Sequence, residues 1–416
     1  MGSKTDDTLA AAADAKLAVT DKSVLSKEEQ MALISRNLQE VMNPEILEKV
    51  LDEGRHIRIY WGTATTGRPH CGYFVPIMKI SQLLAAGCHV VILLADIHGF
   101  LDNLKAPIEL VEYRAQYYKW VIKAILEAVG VPTEKLEFVL GSSYQKSPEY
   151  IMDVYKLCSL CSEHDSRRAG SEVVKQTDNA PLSGLLYPLL QALDEEYLKV
   201  DCQLGGVDQR KIFVAAKEWL PKLGYKERAH LLNPMVPGLQ GSKMSSSDPD
   251  SKIDLLDLPE VVARKIKKAE AAPKVTEGNG LIGFTEFVLL PAAELRGGKF
   301  TVLRERDGLE PLVYSDIAQL KADYENDVLT PQLLKPAISA ALNELLVPIN
   351  AAFQASKEWQ EITLKAYPPE EKKKKIKKVK DKGTRYQGAP PAKVAAQEGK
   401  TEGAVDGSAA DGAAEQ

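Results

Sequence analysis

Apolar and polar positions follow two different periods along the first 255 residues. IRIYWGTA (57–64), VVILLAD (90–96), LEFVLGS (136–142) and KVDCQLGG (199–206) are short, apolar-dense runs, the pattern of strands buried on both faces. Between them apolar residues recur three and four apart. That spacing predicts helices from about residue 70, over 107–129 up to Gly130, across 147–163 and over 185–196. Two more helices precede them, from Lys27 through KEEQMALISRNLQEVM and over 44–53. Strands separated by helices of ten or more residues need crossover connections, so the pattern predicts an open α/β sheet of parallel strands.

The pattern changes near residue 256. PEVVARKIKKAEAA, SDIAQLKADYEND and LKPAISAALNELLVPINAAF predict charged helices, with one strand-like stretch, KFTVLRERD. The chain therefore divides into a flexible arm (1–27), an α/β domain (28–255), a mostly helical domain (256–368) and a tail (369–416). The tail opens with KKKKIKKVKDK (372–382) and continues in Gly, Ala, Glu and Asp, too poor in apolar residues to offset the entropy of folding. Its lysine block reads equally as a solvated linker, an RNA-phosphate contact or a nuclear-import patch.

Composition narrows this picture. With 53 Lys+Arg against 58 Asp+Glu the net charge is −5, which argues against generic coating of nucleic acid but leaves room for a local basic surface. The five cysteines (71, 88, 158, 161, 202) lack a disulfide framework and read as reduced cytosolic thiols. Cys158 and Cys161 with His164 would need a fourth ligand to hold zinc, so they read as core or semi-buried thiols and no structural metal is expected. No apolar run approaches the ~18 residues of a membrane span, the strongest candidate being CHVVILLADIHGF (88–100), which reads as a buried strand.

Three stretches carry candidate chemistry. In GTATTGRPHCGYF (62–74), Gly62 and Gly67 allow close backbone approach, and Pro69 places His70–Tyr73 at a helix N-terminus, where free N–H groups favour phosphate. Gly72 weakens a helix start unless something must lie flat against it. In SGLLYPLLQALDEEYLKVDCQLGGVDQRK (183–211), Tyr187, Gln191 and Asp194 stand at i, i+4 and i+7, one polar stripe on a helix otherwise flanked by leucines. A phenol, an amide and a carboxylate converging in an apolar pocket suit a small zwitterion with a polar side chain. The following GGVDQ sets Asp208 and Gln209 at the carboxyl edge of the sheet, with Gly205 and Gly206 leaving room for a ligand. Third, GSKMSSSDPDSK (241–252) holds one cation, Lys243, in a polar loop from which it can close over phosphate.

Together these stretches resemble the class I aminoacyl-tRNA synthetases, and within them the tyrosine-specific enzymes of the eukaryotic cytoplasm. His70-Cys71-Gly72-Tyr73 resembles the HIGH signature and Lys243-Met244-Ser245-Ser246-Ser247 the KMSKS signature, with Tyr73 in place of the final His and serine in place of the second Lys. The resemblance runs from about Lys27 to Pro368. It implies a Rossmann-like catalytic domain and a helical domain that binds the anticodon arm of tRNA(Tyr). It also implies a homodimer, a cytoplasmic location and two reaction steps: L-tyrosine attacks Mg2+-ATP, and the tyrosyl group then passes to tRNA(Tyr). His70 and Lys243 become the phosphate and transition-state contacts. Gly62, Gly72, Gly206 and Asp208 join them around ATP, with Asp208 on the ribose. Tyr60 and Asp194 hold the phenol hydroxyl, and Tyr187, Gln191 and Gln209 surround the ammonium group. Tryptophanyl synthetases and small nucleotidylyltransferases share parts of this pattern. The Tyr187/Gln191/Asp194 stripe favours a phenol over an indole, and the helical second domain argues against a nucleotidylyltransferase.

Overall fold

The computed structural model describes residues 25–102, 106–131, 135–174, 181–239, 252–305 and 308–369. The arm to residue 24, the loop carrying Lys243 and the lysine-rich tail lie outside the described residues.

Six strands form one sheet: β1 (Glu40–Met42), β2 (Arg58–Ala64), β3 (His89–Ala95), β4 (Leu136–Leu140), β5 (Cys202–Gly206) and β6 (Ala229–Asn233). Their spatial order is β1-β6-β5-β2-β3-β4. All neighbours are parallel except β1, which runs antiparallel along the β6 edge. β3 is buried at every position after His89, so its run of Val, Ile and Leu meets apolar neighbours on both faces. From β2 the chain moves one way to β3 and β4 and later the other way to β5 and β6. The β2/β5 boundary is thus the switch point of an open α/β sheet, where a crevice opens beyond the strand ends.

Helices Phe74–Ala85 and Ile108–Ala128 share a buried core with the sheet, while Pro148–Leu160, Ser183–Tyr197 and Arg210–Trp219 pack together in a second buried cluster. Ser147 caps the third of these by accepting from Tyr150 N–H, with Pro148 at its first position. The helical part after residue 256 shares its core with the α/β part: Leu334, Ile338, Leu342 and Trp359 belong to the same buried cluster as Ile59, Ile77 and Ile122. The described residues fall in one compact unit that ends at Pro369.

Several elements differ from the sequence reading. Lys199, read as the start of a strand, sits in the left-handed region (φ 53) and turns the chain; β5 begins at Cys202. The strand-like KFTVLR is half of a hairpin, β7 (Phe300–Arg304) with β8 (Leu309–Tyr314). Pro69 does not open a helix: His70 caps a short 3-10 turn, Cys71–Tyr73, which runs into the Phe74–Ala85 helix. Cys158 is exposed rather than buried, because the Pro148–Leu160 helix presents an apolar strip to solvent. The Pro331–Ala355 helix is long and apolar enough, by length and composition, to cross a membrane. Here it packs as a core helix through Leu334, Ile338, Leu342, Leu345 and Ile349.

Candidate active site

Two cavities meet at the β2/β5 switch point. The first, about 340 Å³, is lined by Tyr60, Gly62, His98, Tyr187, Gln191, Asp194, Gln203 and Gln209, among others. The second, about 240 Å³, is lined by His70, Gly72, Gly205, Gly206 and the Asn233–Val236 segment. Trp61, Tyr73 and Asp208 border both, so the two cavities are neighbours.

The Ser183–Tyr197 helix builds one wall of the first cavity. Its i, i+4, i+7 geometry sets Tyr187, Gln191 and Asp194 on the inner face. Asp194 is fully buried. Its Oδ1 accepts from Tyr144 Oη (2.7 Å), Gln145 Nε2 (2.8 Å) and Tyr150 Oη (3.0 Å). Its Oδ2 has no hydrogen-bond partner among the described residues. Burial pushes the carboxyl up to about 7, against the three hydrogen bonds that favour its anion. Tyr60, on β2, donates to the Gln191 carbonyl (3.2 Å). Gln191 Nε2 donates to Gln209 Oε1 (2.8 Å), which ties the helix to the turn after β5.

The glycines of that turn first make room for the protein's own side chains. A Cβ at Gly205 would lie 2.6 Å from Phe213 Cζ and 3.0 Å from Gln209 Oε1; one at Gly206 would lie 2.5 Å from Asp208 Oδ1. At Gly62 a Cβ would make only ordinary contacts of 3.5–3.9 Å.

Beside the second cavity, His70 Nδ1 accepts from Gly72 N–H (3.1 Å), so the imidazole rather than a ligand takes that N–H group. Burial, reinforced by the Lys252 ammonium, lowers the His70 pKa to about 4; the ring is neutral at pH 7 and keeps an Nε2–H to donate. Tyr73, in place of the final histidine of the signature, shares a hydrogen bond with Thr63 Oγ1 (3.0 Å) and meets the His70 ring edge-on at 5.9 Å. It packs His70 in place. Cys71 N–H donates to Ile253 O (2.9 Å), and His70 pairs with Asp254 in an isolated bridge. The chain just after the 240–251 segment is thereby pinned beside His70.

The structure thus gathers Tyr60, Tyr187, Gln191, Asp194 and Gln209 around one cavity, and His70, Gly72, Gly206 and Asp208 around its neighbour. Lys243 lies outside the described residues. Sequence reasoning missed Trp61, His98, Tyr144, Gln145, Tyr150 and Gln203. Of these, His98 and Gln145 follow the carboxyl ends of β3 and β4, the positions where polar residues in such sheets gather. Among the described residues no three His, Cys, Asp or Glu side chains converge as a metal-binding group.

The family described as tRNA synthetases class I (W and Y) matches residues 52–347. The cytoplasmic tyrosine--tRNA ligase of Saccharomyces cerevisiae is 54% identical over 369 residues, 87% of this chain and 94% of the yeast protein. That of Danio rerio is 53% identical over 350 residues, 84% of this chain but 65% of the longer fish protein. A tyrosyl-tRNA synthetase from Archaeoglobus fulgidus, solved with L-tyrosine, superposes with a TM-score of 0.72 at 36% identity, covering 79% of this chain and 99% of that one. The chain belongs to the class I tRNA synthetases of the tryptophan and tyrosine family.

Proposed function

We infer that the chain is a tyrosine--tRNA ligase. It activates L-tyrosine with ATP and transfers the tyrosyl group to tRNA(Tyr). The observation that carries the choice of tyrosine is Asp194, a buried carboxylate whose second oxygen has no partner among the described residues and which lines a cavity of about 340 Å³. A phenol hydroxyl supplies the proton that this oxygen lacks; an indole offers its N–H from a different place on a wider ring. A site that hydrogen-bonds a substrate hydroxyl rejects the analogue lacking it by roughly 10⁴–10⁵, tyrosine-specific synthetases being the standard example. No second, editing step is then required against phenylalanine.

In the first step a tyrosine carboxylate oxygen attacks the α-phosphorus of ATP. The bond from that phosphorus to the bridging oxygen breaks, and pyrophosphate leaves with Mg2+, which enters as part of the ATP substrate. The reaction needs alignment and charge neutralisation rather than a protein nucleophile. Tyr187, Gln191 and Gln209 hold the ammonium group, and Tyr60 and Asp194 the phenol. Asp208, which borders both cavities, takes the ribose, while Gly62, Gly72 and Gly206 give the adenosine room. His70 donates to phosphate as a neutral imidazole. Lys243 supplies positive charge from the 240–251 segment; the chain just after that segment is tied to His70 and Cys71. In the second step a ribose hydroxyl of the tRNA terminal adenosine attacks the acyl carbonyl and AMP departs.

The 256–368 region carries the anticodon arm, and the active form is a cytoplasmic homodimer. The Pro148–Leu160 helix supports the dimer: Met152 (53% exposed), Tyr155 (63%), Ile151 and Leu160 form an apolar strip that a second copy would cover. The lysine block at 372–382 admits a smaller nuclear pool, which imaging of a chain with that block neutralised would reveal. Aminoacylation of purified tRNA(Tyr) tests the main reading. Charging with tyrosine is the expected result; charging with tryptophan, or none with either amino acid, would overturn it.

A further inference from the structure

His70 reaches the second cavity as a neutral imidazole, so it offers phosphate a hydrogen bond but no charge. A triphosphate is a polyanion, and its transition state moves more negative charge onto the departing oxygen. The chain that returns beside His70 brings positive charge to it. His70 is extended (φ −132, ψ 177) and bridges Asp254 in an antiparallel pair, while Cys71 N–H donates to Ile253 O (2.9 Å). Side chains alternate in direction along extended chain. Cys71 and Ile253 are buried and turn into the core. Lys252 and Asp254, on either side of Ile253, therefore share the opposite face with His70.

Lys252 is only 7% exposed, yet its ammonium bears on the His70 ring. Burial lowers the Lys252 pKa, and Asp254 acts in the opposite sense. The ammonium is thus a desolvated cation beside one carboxylate, a setting in which a further anion is strongly attracted. Two other cations of this neighbourhood point elsewhere. Arg68 lies over the Tyr367 ring at 5.4 Å, and Lys265 closes on Asp257 at 2.7 Å.

We propose that Lys252 is a further phosphate-binding residue, whose ammonium contacts the ATP triphosphate beside His70 and stabilises the charge that passes to pyrophosphate. This rests on the activation reading above and adds a residue to its phosphate end. Backbone pairing through Ile253 and Asp254 fixes the cation before ATP arrives, so little reorganisation is needed when the charge develops.

The test compares wild type, Lys252→Met, Lys252→Arg and Asp254→Asn. Three quantities are measured: Mg2+-ATP affinity by calorimetry, tyrosine affinity by fluorescence titration, and the single-turnover rate of tyrosyl-adenylate formation. Methionine keeps the apolar stem and removes the charge. Lys252→Met should bind ATP about 10-fold more weakly and form adenylate about 10- to 100-fold more slowly, with tyrosine affinity little changed. Lys252→Arg should recover most of the rate. Asp254→Asn removes the neighbouring carboxylate while its side-chain oxygen can still accept from Leu256 N–H, so its rate should stay level or rise. If Lys252→Met fails to fold, as thermal melting would show, Lys252→Gln takes its place. Unchanged ATP affinity and rate in the uncharged variant would overturn the proposal. So would parallel losses of ATP affinity, tyrosine affinity and melting temperature in Lys252→Met and Asp254→Asn, the mark of a merely structural pair. A wild-type protein that binds ATP but forms no tyrosyl-adenylate would refute the activation reading; the ATP affinities of the variants would still decide the role of Lys252.

Discussion

Replacing Asp194 by asparagine isolates the carboxylate charge from its shape. The asparagine oxygen can still accept from Tyr144, Gln145 and Tyr150, which hold Oδ1 at 2.7–3.0 Å. What changes is the atom facing the cavity: an amide N–H₂ replaces the unpartnered Oδ2. In wild type, bound phenylalanine leaves a buried, charged acceptor unpaired, a cost above about 3 kcal/mol, whereas an unpaired neutral amide costs about 1 kcal/mol. The difference, about 2–3 kcal/mol, corresponds to a loss of roughly 30- to 150-fold in the tyrosine-to-phenylalanine kcat/KM ratio. The assay is ATP–pyrophosphate exchange at pH 8, above the value of about 7 to which burial pushes the Asp194 carboxyl. At pH 6 the wild-type carboxyl is mostly protonated, so wild-type selectivity should drop toward that of the variant, whose own ratio stays flat. A folded Asp194→Asn protein whose ratio at pH 8 stays within about threefold of wild type would refute the reasoning.

The same carboxyl predicts a stability effect. Its folded-state pKa is raised from 3.8 to about 7, so its contribution to stability is fully present below about pH 4 and is lost as pH rises through 7. Asp194→Asn should therefore gain thermal stability over wild type at pH 8, by up to about 4 kcal/mol, and much less at pH 5; a pH-independent difference in Tm would contradict this. Lys243→Ala should slow tyrosyl-adenylate formation in single-turnover assays by about 10²-fold or more, with tyrosine affinity little changed. A collapse of tyrosine binding instead would mark Lys243 as structural. Gly205→Ala should cost about 1–3 kcal/mol of stability and raise the tyrosine KM, because the new Cβ would press to 2.6 Å from the buried Phe213 ring and 3.0 Å from Gln209. An unchanged melting temperature would show that Phe213 yields freely. Tyr155→Glu places a charge in the exposed apolar strip and should shift sedimentation from dimer toward monomer; an unaltered dimer would place the interface elsewhere.

β2, β3, β4 and β5 were legible as short apolar-dense runs, most clearly β3, which is covered on both faces over Val90–Leu94; β4 lies at the sheet edge and is only partly buried. The polar stripe Tyr187–Gln191–Asp194 was legible because helical spacing alone puts the three on one face. β6 was not. Its His230 interrupts the apolar run, yet is fully buried because Glu195 lies 2.8 Å away and Phe213 stacks on it at 4.6 Å. Those partners come from distant sequence. β1 has three residues and borrows its pairing from β6. β8 contains Pro311, a residue that argues against a strand except at an edge such as this two-stranded hairpin. Within the site, ADIHGFLD was legible as a polar stretch after a strand end, but nothing local singled out His98 in it or Gln145 after β4. Their role depends on the β3–β4 neighbourhood, which delivers the residues after both strands to the same carboxylate.

A crystal structure with a non-hydrolysable tyrosyl-adenylate analogue tests the central claim most directly. The account predicts the phenol oxygen within 3.2 Å of Asp194 Oδ2, a distance typical of a hydrogen bond, with the adenosine over Gly72 and its ribose on Asp208. An analogue bound with its phenol away from Asp194, or with its adenosine outside the cavity bordered by His70 and Gly206, would contradict it.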